Sequence, residues 1–409
     1  MKRSASINYI FITVVLDVLS LGIVIPVLPK LVEAFLGGDT GRAAQFYGLF
    51  GTAWAAMQFV FSPLLGTLSD RFGRRPVILL SNFGLGFDYI LMALAPTVWW
   101  LFLGRIFSGI CGASWTTAAA YVADITEPEK RAGAFGRIGA AWGLGFVLGP
   151  ALGGVLGGID LRLPFWVAAG LTLANAAYGM FVLPESLPAE RRTHGVDLKR
   201  ANPLGALGLV RAHRGLTSLV SVTFLYWFAH QALTSVFVLY TGHRYGWTAT
   251  TVGLTLALVG VCNVIVQAGL VRTAVRRFGE RRTLITGLLC GAAGFIAYGL
   301  APTAQWFWAG VPVFALMGLQ GPAMQSLMTR RVGPSEQGRL QGINGSLQGI
   351  TGMIGPPFFA GIFAWVLGPG IGLRLPGAPF VLAGGALVVA AIIAERATRV
   401  AVGVTTGAS

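Results

Sequence analysis

The sequence predicts an all-α integral membrane protein with twelve transmembrane helices in two pseudo-symmetric halves of six. Three observations carry this prediction. Hydrophobic residues make up 55% of the 409 residues and the mean hydropathy is +0.70, which is more apolar surface than a soluble core of this size buries. Apolar runs of roughly 20 residues, the length that crosses a bilayer, occur twelve times. The sequence also repeats itself at an offset of 206 residues.

The twelve runs predict spans at 7–29, 44–66, 76–96, 98–123, 132–157, 163–183, 216–240, 247–270, 283–302, 304–328, 340–366 and 376–394. The first run follows Met1, Lys2 and Arg3, an arrangement that imitates a secretory signal. It continues to about Pro29 without a small-residue cleavage site. We therefore expect it to be retained as the first span.

Lysine and arginine are distributed unevenly between the two sets of loops. Of the 30 basic residues, 24 fall in loops or at span ends on the same side as the N-terminus, five fall in the opposite loops, and Arg105 alone lies deep within a span. Because positive charge is retained on the cytoplasmic side of a membrane protein, we expect both termini in the cytoplasm. The net charge of +15 is thus a topology signal, and no nucleic-acid partner is expected.

A Phe-Gly pair in a charged turn occurs twice, at Phe72-Gly73 and at Phe278-Gly279, and defines the offset. The same offset relates Pro96 to Pro302, Trp100 to Trp306, Gly149 to Gly355 and Pro150 to Pro356. We expect a first half at 1–190, a cytoplasmic linker at 191–215, a second half at 216–395 and a cytoplasmic tail at 396–409. Two six-helix halves that repeat in parallel orientation form a central cavity between them.

Motifs of several other protein classes are missing from the sequence. Glycine never precedes lysine, so there is no ATP-binding P-loop, and neither His-Glu-x-x-His nor Gly-x-Ser-x-Gly occurs. The cysteines Cys111, Cys262 and Cys290 lie in apolar runs without metal or redox spacing. We expect a protein that is not an enzyme, with no disulfide, no metal site and no cofactor, in which an ion gradient drives transport.

Two motifs in the sequence resemble motifs of the major facilitator superfamily. One is the charged turn from Gly66 to Arg75. The other, in span 5, is typical of the exporters of that superfamily and consists of Gly143, Gly145, Gly149, Pro150, Gly153 and Gly154. Within the superfamily the chain is similar to the tetracycline efflux group of drug/proton antiporters. This likeness is supported by Asp17, Pro26-Val27-Leu28-Pro29, Ser69 to Pro76, Asp88-Tyr89, Gly104-Arg105 and Ala123-Asp124-Ile125-Thr126.

The second half departs from that group at two positions. Aligned on Gln267-Ala268, Asn263 stands where the tetracycline antiporters carry a histidine, and Gly291 stands where they carry an aspartate. The resemblance implies that the residues at these two positions belong to the proton pathway in the tetracycline antiporters. Their replacement here argues against tetracycline as the substrate and favours a proton route through the first half.

Asp17, Asp88 and Arg105 are the intramembrane charges. An ionisable side chain in lipid is costly enough that a function is the default expectation. Desolvation favours a protonated carboxyl and a nearby guanidinium favours the ionised form, so a site balanced between the two can take up and release protons. We predict that these three residues couple transport to protons. The alternative for Asp88 and Arg105 is a permanent structural ion pair between spans 3 and 4.

The charged residues at the cytoplasmic ends of the spans predict a gate. They are Asp70, Arg71, Arg74, Arg75 and Asp124. By resemblance, Asp70 is expected near the start of span 11, around Arg339 to Gly342, where the N–H groups of a helix end favour an anion. The alternative is a solvated turn that follows the positive-inside rule, which explains the arginines but not Asp70 or Phe72-Gly73.

Aromatic and amide side chains within the spans predict a cavity for an amphiphilic compound. The residues concerned are Trp54, Gln58, Trp115, His230, Gln231, Asn263 and Gln320. Each of them could instead pack against another helix or face lipid. His230 could titrate near neutral pH or could be a neutral side chain hydrogen-bonded between helices.

Small residues predict close helix contacts in spans 5 and 11, because they let helices approach each other in lipid. They are Gly143, Gly149 and Pro150 in span 5 and Gly349, Gly355 and Pro356 in span 11. Contacts of this kind between the halves would allow sliding during alternating access.

These predictions combine into a proton-coupled exporter of a small amphiphilic organic compound. We expect a monomer in the cytoplasmic (inner) membrane, with the lipid bilayer and a small-molecule substrate as its partners. Two alternatives stay open. One is proton-coupled uptake of a sugar or other metabolite, which the span 5 exporter motif disfavours. The other is a transporter-like sensor that moves nothing.

Overall fold

The computed structural model describes residues 7–112, 114–127, 130–193, 214–333, 336–368 and 375–403, and the regular elements in these ranges are helical. The helices of the first part are α1 (Ile7–Val24), α2 (Leu28–Phe35), α3 (Thr40–Phe72), α4 (Arg74–Ala93), α5 (Val98–Cys111), α6 (Ser114–Ile125), α7 (Arg131–Ile159) and α8 (Leu163–Phe181). A 3-10 turn at Ala189–Arg191 follows α8.

The helices of the second part are α9 (Arg214–Tyr245), α10 (Ala249–Ile265), α11 (Val271–Leu300), α12 (Ala304–Ala315), α13 (Gln320–Thr329), α14 (Gln337–Leu367) and α15 (Ala378–Gly403). A π turn, Val266–Leu270, joins α10 to α11. A 3-10 turn, Leu316–Leu319, joins α12 to α13.

Nine helical stretches within the described ranges are long and apolar enough to cross a membrane. One of them, Ala249–Leu300, is 52 residues long and holds two spans, because the helix is interrupted at Gly279, where φ is +74°. Two more spans come from α5 together with α6 and from the 19-residue helix α8. The predicted fold class, an all-α membrane protein of twelve spans, is confirmed.

Several predicted spans are interrupted rather than continuous. The first is broken between Val24 and Leu28, beside Pro26, and the fourth is broken after Cys111, at Gly112. Proline lacks the N–H group that a helix interior needs, and glycine costs roughly 1 kcal/mol relative to alanine there. The eighth span ends in the π turn, a feature that is frequent at functional sites.

Contacts divide the chain into two compact units. The first comprises 1–46, 53–202 and 247–257, and the second comprises 47–52, 203–246 and 258–409. A core cluster of the first unit includes Ile10, Val18 and Tyr121. In the second unit Tyr298 and Phe307 stack with ring centroids 4.2 Å apart. Most of the predicted linker at 191–215 and the end of the tail lie outside the described residues.

Glycines allow close helix contacts within each unit. In the first unit a Cβ atom on Gly149 would lie 2.7 Å from the Cα atom of Gly22. This distance is shorter than the contacts that Cβ atoms make in proteins, so only glycine fits here. A Cβ atom on Gly154 would lie 2.9 Å from the Cα atom of Gly253. Here α7 therefore meets α1 and the start of α10 backbone to backbone.

The second unit uses its helix-packing residues in the same way. A Cβ atom on Gly355 would lie 2.5 Å from the Cβ atom of Gln231. A Cβ atom on Gly51 would lie 2.8 Å from the Cβ atom of Pro356. Of the remaining residues predicted to pack helices, Pro150 is buried, and Gly143 and Gly349 are partly exposed.

Candidate functional site

The Asp17 carboxyl lies in the middle of α1 and is oriented by α8. The side-chain nitrogen of Asn175 donates a hydrogen bond to Asp17 Oδ1 at 2.8 Å. The same nitrogen donates to the backbone carbonyl of Thr13 at 3.0 Å. Asn175 is fully buried and Asp17 is partly exposed. The Asn175 amide, held by these two hydrogen bonds, thus orients the Asp17 carboxyl group, and the side of that group that faces away from Asn175 is accessible.

The open side of Asp17 faces a cavity of about 80 Å³ in the first unit. Its lining includes side chains with polar groups, namely Asp17, Trp54, Gln58, Tyr89, Ser108 and Trp142, and apolar side chains such as Val14, Leu21 and Leu85. A cavity of this size with a few polar groups on its wall holds on the order of two or three water molecules. The structure therefore brings together Asp17, Trp54 and Gln58, three of the residues singled out in the sequence.

Asp88 and Arg105 lie beside this cavity but do not line it. Asp88 is 3% exposed, and no described residue donates a hydrogen bond to either of its carboxyl oxygens. Its carboxyl group packs against α5, because a Cβ atom on Gly104 would lie 2.9 Å from Asp88 Oδ1. The positively charged Arg105 is near enough to interact electrostatically with the Asp88 carboxyl group. The Arg105 guanidinium lies 5.3 Å from the ring centroid of Trp54.

Arg74 is the centre of the charged turn. Its Nη1 atom donates to Asp70 Oδ1 at 2.5 Å and to Ser69 Oγ at 2.7 Å. Its Nε atom donates to Asp124 Oδ2 at 3.0 Å. Arg74 is 8% exposed, so it is a buried cation satisfied by two carboxylates and a hydroxyl. This network fixes the end of α3 and the start of α4 against the end of α6.

The two other arginines of the turn have separate roles. Arg75 donates to the backbone carbonyls of Gly179 and Met180 near the end of α8. Arg71 is exposed, and its guanidinium lies over the ring of Phe72 at 5.1 Å from the centroid. The charged residues predicted to form a gate are therefore not equivalent, and Arg74 holds most of the contacts.

Glu185, just after α8, closes the same network. Its carboxylate accepts hydrogen bonds from the backbone N–H groups of Arg74 at 2.9 Å and Arg75 at 3.3 Å. These are free N–H groups at the start of α4, where an anion is favoured. Gly73 has φ of +104°, and a Cβ atom there would meet the Glu185 carboxylate at 2.3 Å. Glycine at this position is required by the backbone and by the capping acid.

The second unit repeats the Arg74–Asp124 pair with the charges exchanged. The offset of 206 residues that relates Gly73 to Gly279 also relates Arg74 to Glu280 and Asp124 to Arg330. Arg330 Nη2 donates to Glu280 Oε1 at 2.7 Å, and Ser326 Oγ donates to the same oxygen at 2.6 Å. Each unit thus keeps one ion pair at the equivalent helix ends.

His230 lies in an aromatic environment within the second unit. Its ring centroid is 6.2 Å from that of Tyr226 and 6.0 Å from that of Trp227. The Nδ1 atom of His230 is buried and has no hydrogen-bond partner in the part of the chain that the structure describes. Gln320 is buried and interacts with the Tyr226 hydroxyl.

Asn263 and Gln267 face the 3-10 turn between α12 and α13. Gln267 Nε2 donates to the backbone carbonyl of Gly318 at 3.3 Å. A Cβ atom on Gly318 would lie 3.1 Å from Asn263 Oδ1. Gln231, by contrast, accepts from Thr234 within its own helix at 3.0 Å.

The space beside Gly291 is filled by a methionine. A Cβ atom on Gly291 would lie 2.7 Å from both Cγ and Sδ of Met317. A larger residue would fit at position 291 only if Met317 moved. The side chain of Trp115 lies outside the described residues.

Several residues of these networks were not predicted as site residues from the sequence, among them Ser69, Ser108, Asn175 and Glu185. Asn175 is a polar residue in an otherwise apolar helix, which was the available signal. Glu185 follows a proline directly after a span, in the stretch Leu183-Pro184-Glu185-Ser186, but its distance of 111 residues from Arg74 conceals the contact.

Comparison with known proteins gives a family for most of the chain. Residues 10–356 match the Major Facilitator Superfamily. The chain is 38% identical to the tetracycline resistance protein, class C, of Escherichia coli, over 89% of this chain and 91% of that protein. It is 37% identical to the tetracycline resistance protein, class G, of Vibrio anguillarum, over 90% and 92%.

Solved structures agree on the fold. The crystal structure of the human organic anion transporter MFSD10 (TETRAN) has a TM-score of 0.70 at 24% identity and covers 95% of this chain and 98% of its own. A bacterial homolog of the human lysosomal transporter Spinster has a TM-score of 0.78 at 19% identity, with 96% of each chain covered. The resemblance inferred from the charged turn and the span 5 glycines is confirmed: the chain belongs to the Major Facilitator Superfamily of membrane transporters.

Proposed function

We propose that this chain exports a small amphiphilic organic compound across the cytoplasmic membrane in exchange for protons, by alternating access. The observation that carries the proposal is the Asp17 carboxyl, which lines a cavity with an aromatic ring and an amide. A cavity that holds only a few water molecules is too small for the body of a drug-sized compound, so we assign it the proton and place the substrate beside it. The similarity to tetracycline resistance proteins supports export of a drug-like compound.

Asp17 is the proposed proton carrier. In the ionised form its carboxylate accepts the hydrogen bond from Asn175, and in the protonated form it presents an O–H group to the cavity. Proton uptake therefore changes the charge on the cavity wall without moving the backbone. When the cavity is open to the outside Asp17 takes up a proton, and when it is open to the cytoplasm Asp17 releases it. Asp88 and Arg105 act beside it by setting the local charge.

Arg74 and its partners are the proposed gate. The ion pairs from Arg74 to Asp70 and Asp124 connect the end of α3, the start of α4 and the end of α6, and Glu185 adds the segment that follows α8 to the same group. Broken together, these contacts would release the charged end of the first unit. The distribution of lysine and arginine supports a gate on the cytoplasmic side, with both termini on that side.

We propose that substrate recognition in the second half uses neutral groups. Asn263, Gln267, Gln320 and Tyr226 offer hydrogen bonds without charge, and Met317 occupies the space beside Gly291. A substrate held here does not need a cationic centre to pair with a carboxylate. For this reason we favour an amphiphile other than tetracycline, although tetracycline resistance proteins are relatives of this chain.

Transport by everted membrane vesicles from an expressing bacterium tests the function. The probes are the fluorescent amphiphiles ethidium and Hoechst 33342 and, separately, tetracycline, each measured with and without an imposed pH gradient. The proposal expects uptake of an amphiphile into everted vesicles that stops when the gradient is dissipated, and weak uptake of tetracycline. Gradient-driven release from everted vesicles would indicate import, and no movement of any probe or of protons would indicate a sensor; either result contradicts the proposal.

A further inference from the structure

A second cavity, far larger than the one at Asp17, opens in the second unit between α11 and α15. Its volume is about 380 Å³, and its lining includes Phe278, Arg282, Thr283, Thr286, Leu319 and Glu395. It lies at the arginine-rich ends of both helices. The proton and substrate proposals make no use of this cavity.

Among the described residues, one cation on the cavity wall has no partner. Glu395 accepts from Arg281 at 2.6 Å and from Arg399 at 2.7 Å, so its charge is compensated. Arg282 is exposed and has no hydrogen bond or ion pair with any residue that the structure describes. The cavity wall as a whole is therefore positive, and Arg282 is its available donor.

Two hydroxyl groups stand next to Arg282. Thr283 Oγ1 is committed to the backbone carbonyl of Gly279 at 2.8 Å. Thr286, one helical turn beyond Arg282, is exposed and has no hydrogen bond to the described part of the chain. A guanidinium and a hydroxyl on one helix face are the donors that bind phosphate oxygens.

Exposed apolar side chains continue from the cavity along both helices. On α11, Leu289 is 47% exposed and follows Thr286 on the same face. On α15, Ile392 and Val389 are each 49% exposed and precede Glu395 on the same face. A soluble anion would use the donors alone, whereas a lipid would use the donors for its headgroup and these two stripes for its acyl chains.

We propose that this cavity binds an anionic phospholipid, with the headgroup phosphate at Arg282 and Thr286 and the acyl chains along the stripes of α11 and α15. Several further arginines lie at this end of the two helices and attract anionic lipid: Arg272, Arg276, Arg277 and Arg281 in α11 and Arg396 and Arg399 in α15. The lipid joins α11 to α15 at the membrane surface. Occupancy of this site is independent of which compound the protein transports.

Native mass spectrometry of the full-length protein in detergent tests the proposal, with dioleoylphosphatidylglycerol as the probe. Arg282→Gln should weaken binding about ten-fold, because it removes the charge-assisted hydrogen bond from the guanidinium to the headgroup phosphate. Arg277→Gln is the matched control, because Arg277 is an equally exposed arginine of the same helix that does not line the cavity; binding there should stay within two-fold of the unmodified protein, as a rough limit.

Four results would overturn the proposal. Equal binding by Arg282→Gln and the unmodified protein would remove Arg282 as the headgroup ligand, and equal losses in both variants would mean a diffuse basic surface. Displacement of the lipid by excess inorganic phosphate would assign the cavity to a soluble anion. Equally tight binding of dihexanoylphosphatidylglycerol, which has the same headgroup on short chains, would remove the acyl-chain stripes from the site.

Discussion

The side-chain amide of Asn175 donates a hydrogen bond to the carboxyl of Asp17 at 2.8 Å and so joins α8 to α1. The bond of the same nitrogen to the Thr13 carbonyl fixes the amide from the other side. A carboxyl group held in this way presents one constant face to the cavity that contains Trp54 and Gln58. Asn175 therefore acts as a positioning residue for the proposed proton carrier.

Asn175→Ala should slow gradient-driven transport by roughly ten-fold or more, because a hydrogen bond to a charged group contributes about 1.5–3 kcal/mol. The effect should appear as a changed pH dependence of transport as well as a lower rate, since the bond favours one protonation state of Asp17 over the other. Vesicle flux measured over a series of pH values checks both.

Asn82→Ala is the control for this variant. Asn82 is also a fully buried asparagine of the first unit, and its side chain has no hydrogen-bond partner among the described residues. Transport by this variant should have the pH dependence of the unmodified protein. If both variants changed the pH dependence alike, Asn175 would have no specific relation to Asp17.

The exchanged ion pairs of the two units give a second prediction. Arg74→Glu should abolish transport and lower the folded amount, since removing one partner of a buried ion pair costs roughly 3–5 kcal/mol. The double variant Arg74→Glu, Asp124→Arg recreates the charge order of Glu280 and Arg330. It should recover part of the folded protein and of the transport, with the remaining Asp70 limiting the recovery.

Arg71→Glu is the matched control for this exchange, because Arg71 is an exposed arginine of the same turn. We expect a folded amount close to normal and a small loss of transport. Fluorescence-detected size-exclusion chromatography gives the folded amount of each variant. A double variant no better than Arg74→Glu alone would mean that the pair is not interchangeable between the units.

Asp70→Asn tests the gate without removing Arg74 from its other partners. Arg74 would keep its bonds to Ser69 and Asp124, so we expect a folded protein with slower turnover. The lost charge should shift the accessibility of introduced cysteines toward the inward-open pattern, as measured by labelling from each side of the membrane. Unchanged labelling on both sides would exclude Asp70 from gating.

His230→Gln separates a first-half proton route from one that uses the second half. His230 stacks near Tyr226 and Trp227 and has a buried Nδ1 atom without a described partner. Because Asp17 is the proposed carrier, this variant should keep most proton-driven export. Loss of proton-driven export with normal folding and normal substrate binding would move the proton route to His230.

The fold follows from the sequence because lipid imposes a simple rule. Each span must satisfy its own backbone hydrogen bonds, so a run of apolar residues of sufficient length is a helix wherever it occurs. The breaks at Pro26 and Gly112 lie within predicted spans and show where local residue chemistry overrides that rule. The repeat of Phe72-Gly73 at Phe278-Gly279 reflects real backbone geometry, since Gly73 and Gly279 both have positive φ.

The candidate site was less accessible from the sequence, because its contacts join residues that are far apart. Asp17 is conspicuous as a carboxylate in an apolar run, but its partner Asn175 is 158 residues away. Glu185 is similarly hidden from Arg74. The pair of Glu280 and Arg330 could have been predicted from the sequence. Adding the offset of 206 residues to the positions of Arg74 and Asp124 gives these two residues. A match of opposite charges is missed when only identical residues are compared.

The central claim is that Asp17 carries the proton that drives export. Asp17→Asn keeps the size of the side chain and its place in the cavity but cannot be protonated or ionised. The most direct measurement is substrate-induced proton movement across everted vesicles, followed with a pH-sensitive dye, at equal amounts of folded protein. The account predicts proton movement for the unmodified protein and none for Asp17→Asn. Undiminished proton movement and gradient-driven transport in Asp17→Asn would contradict it.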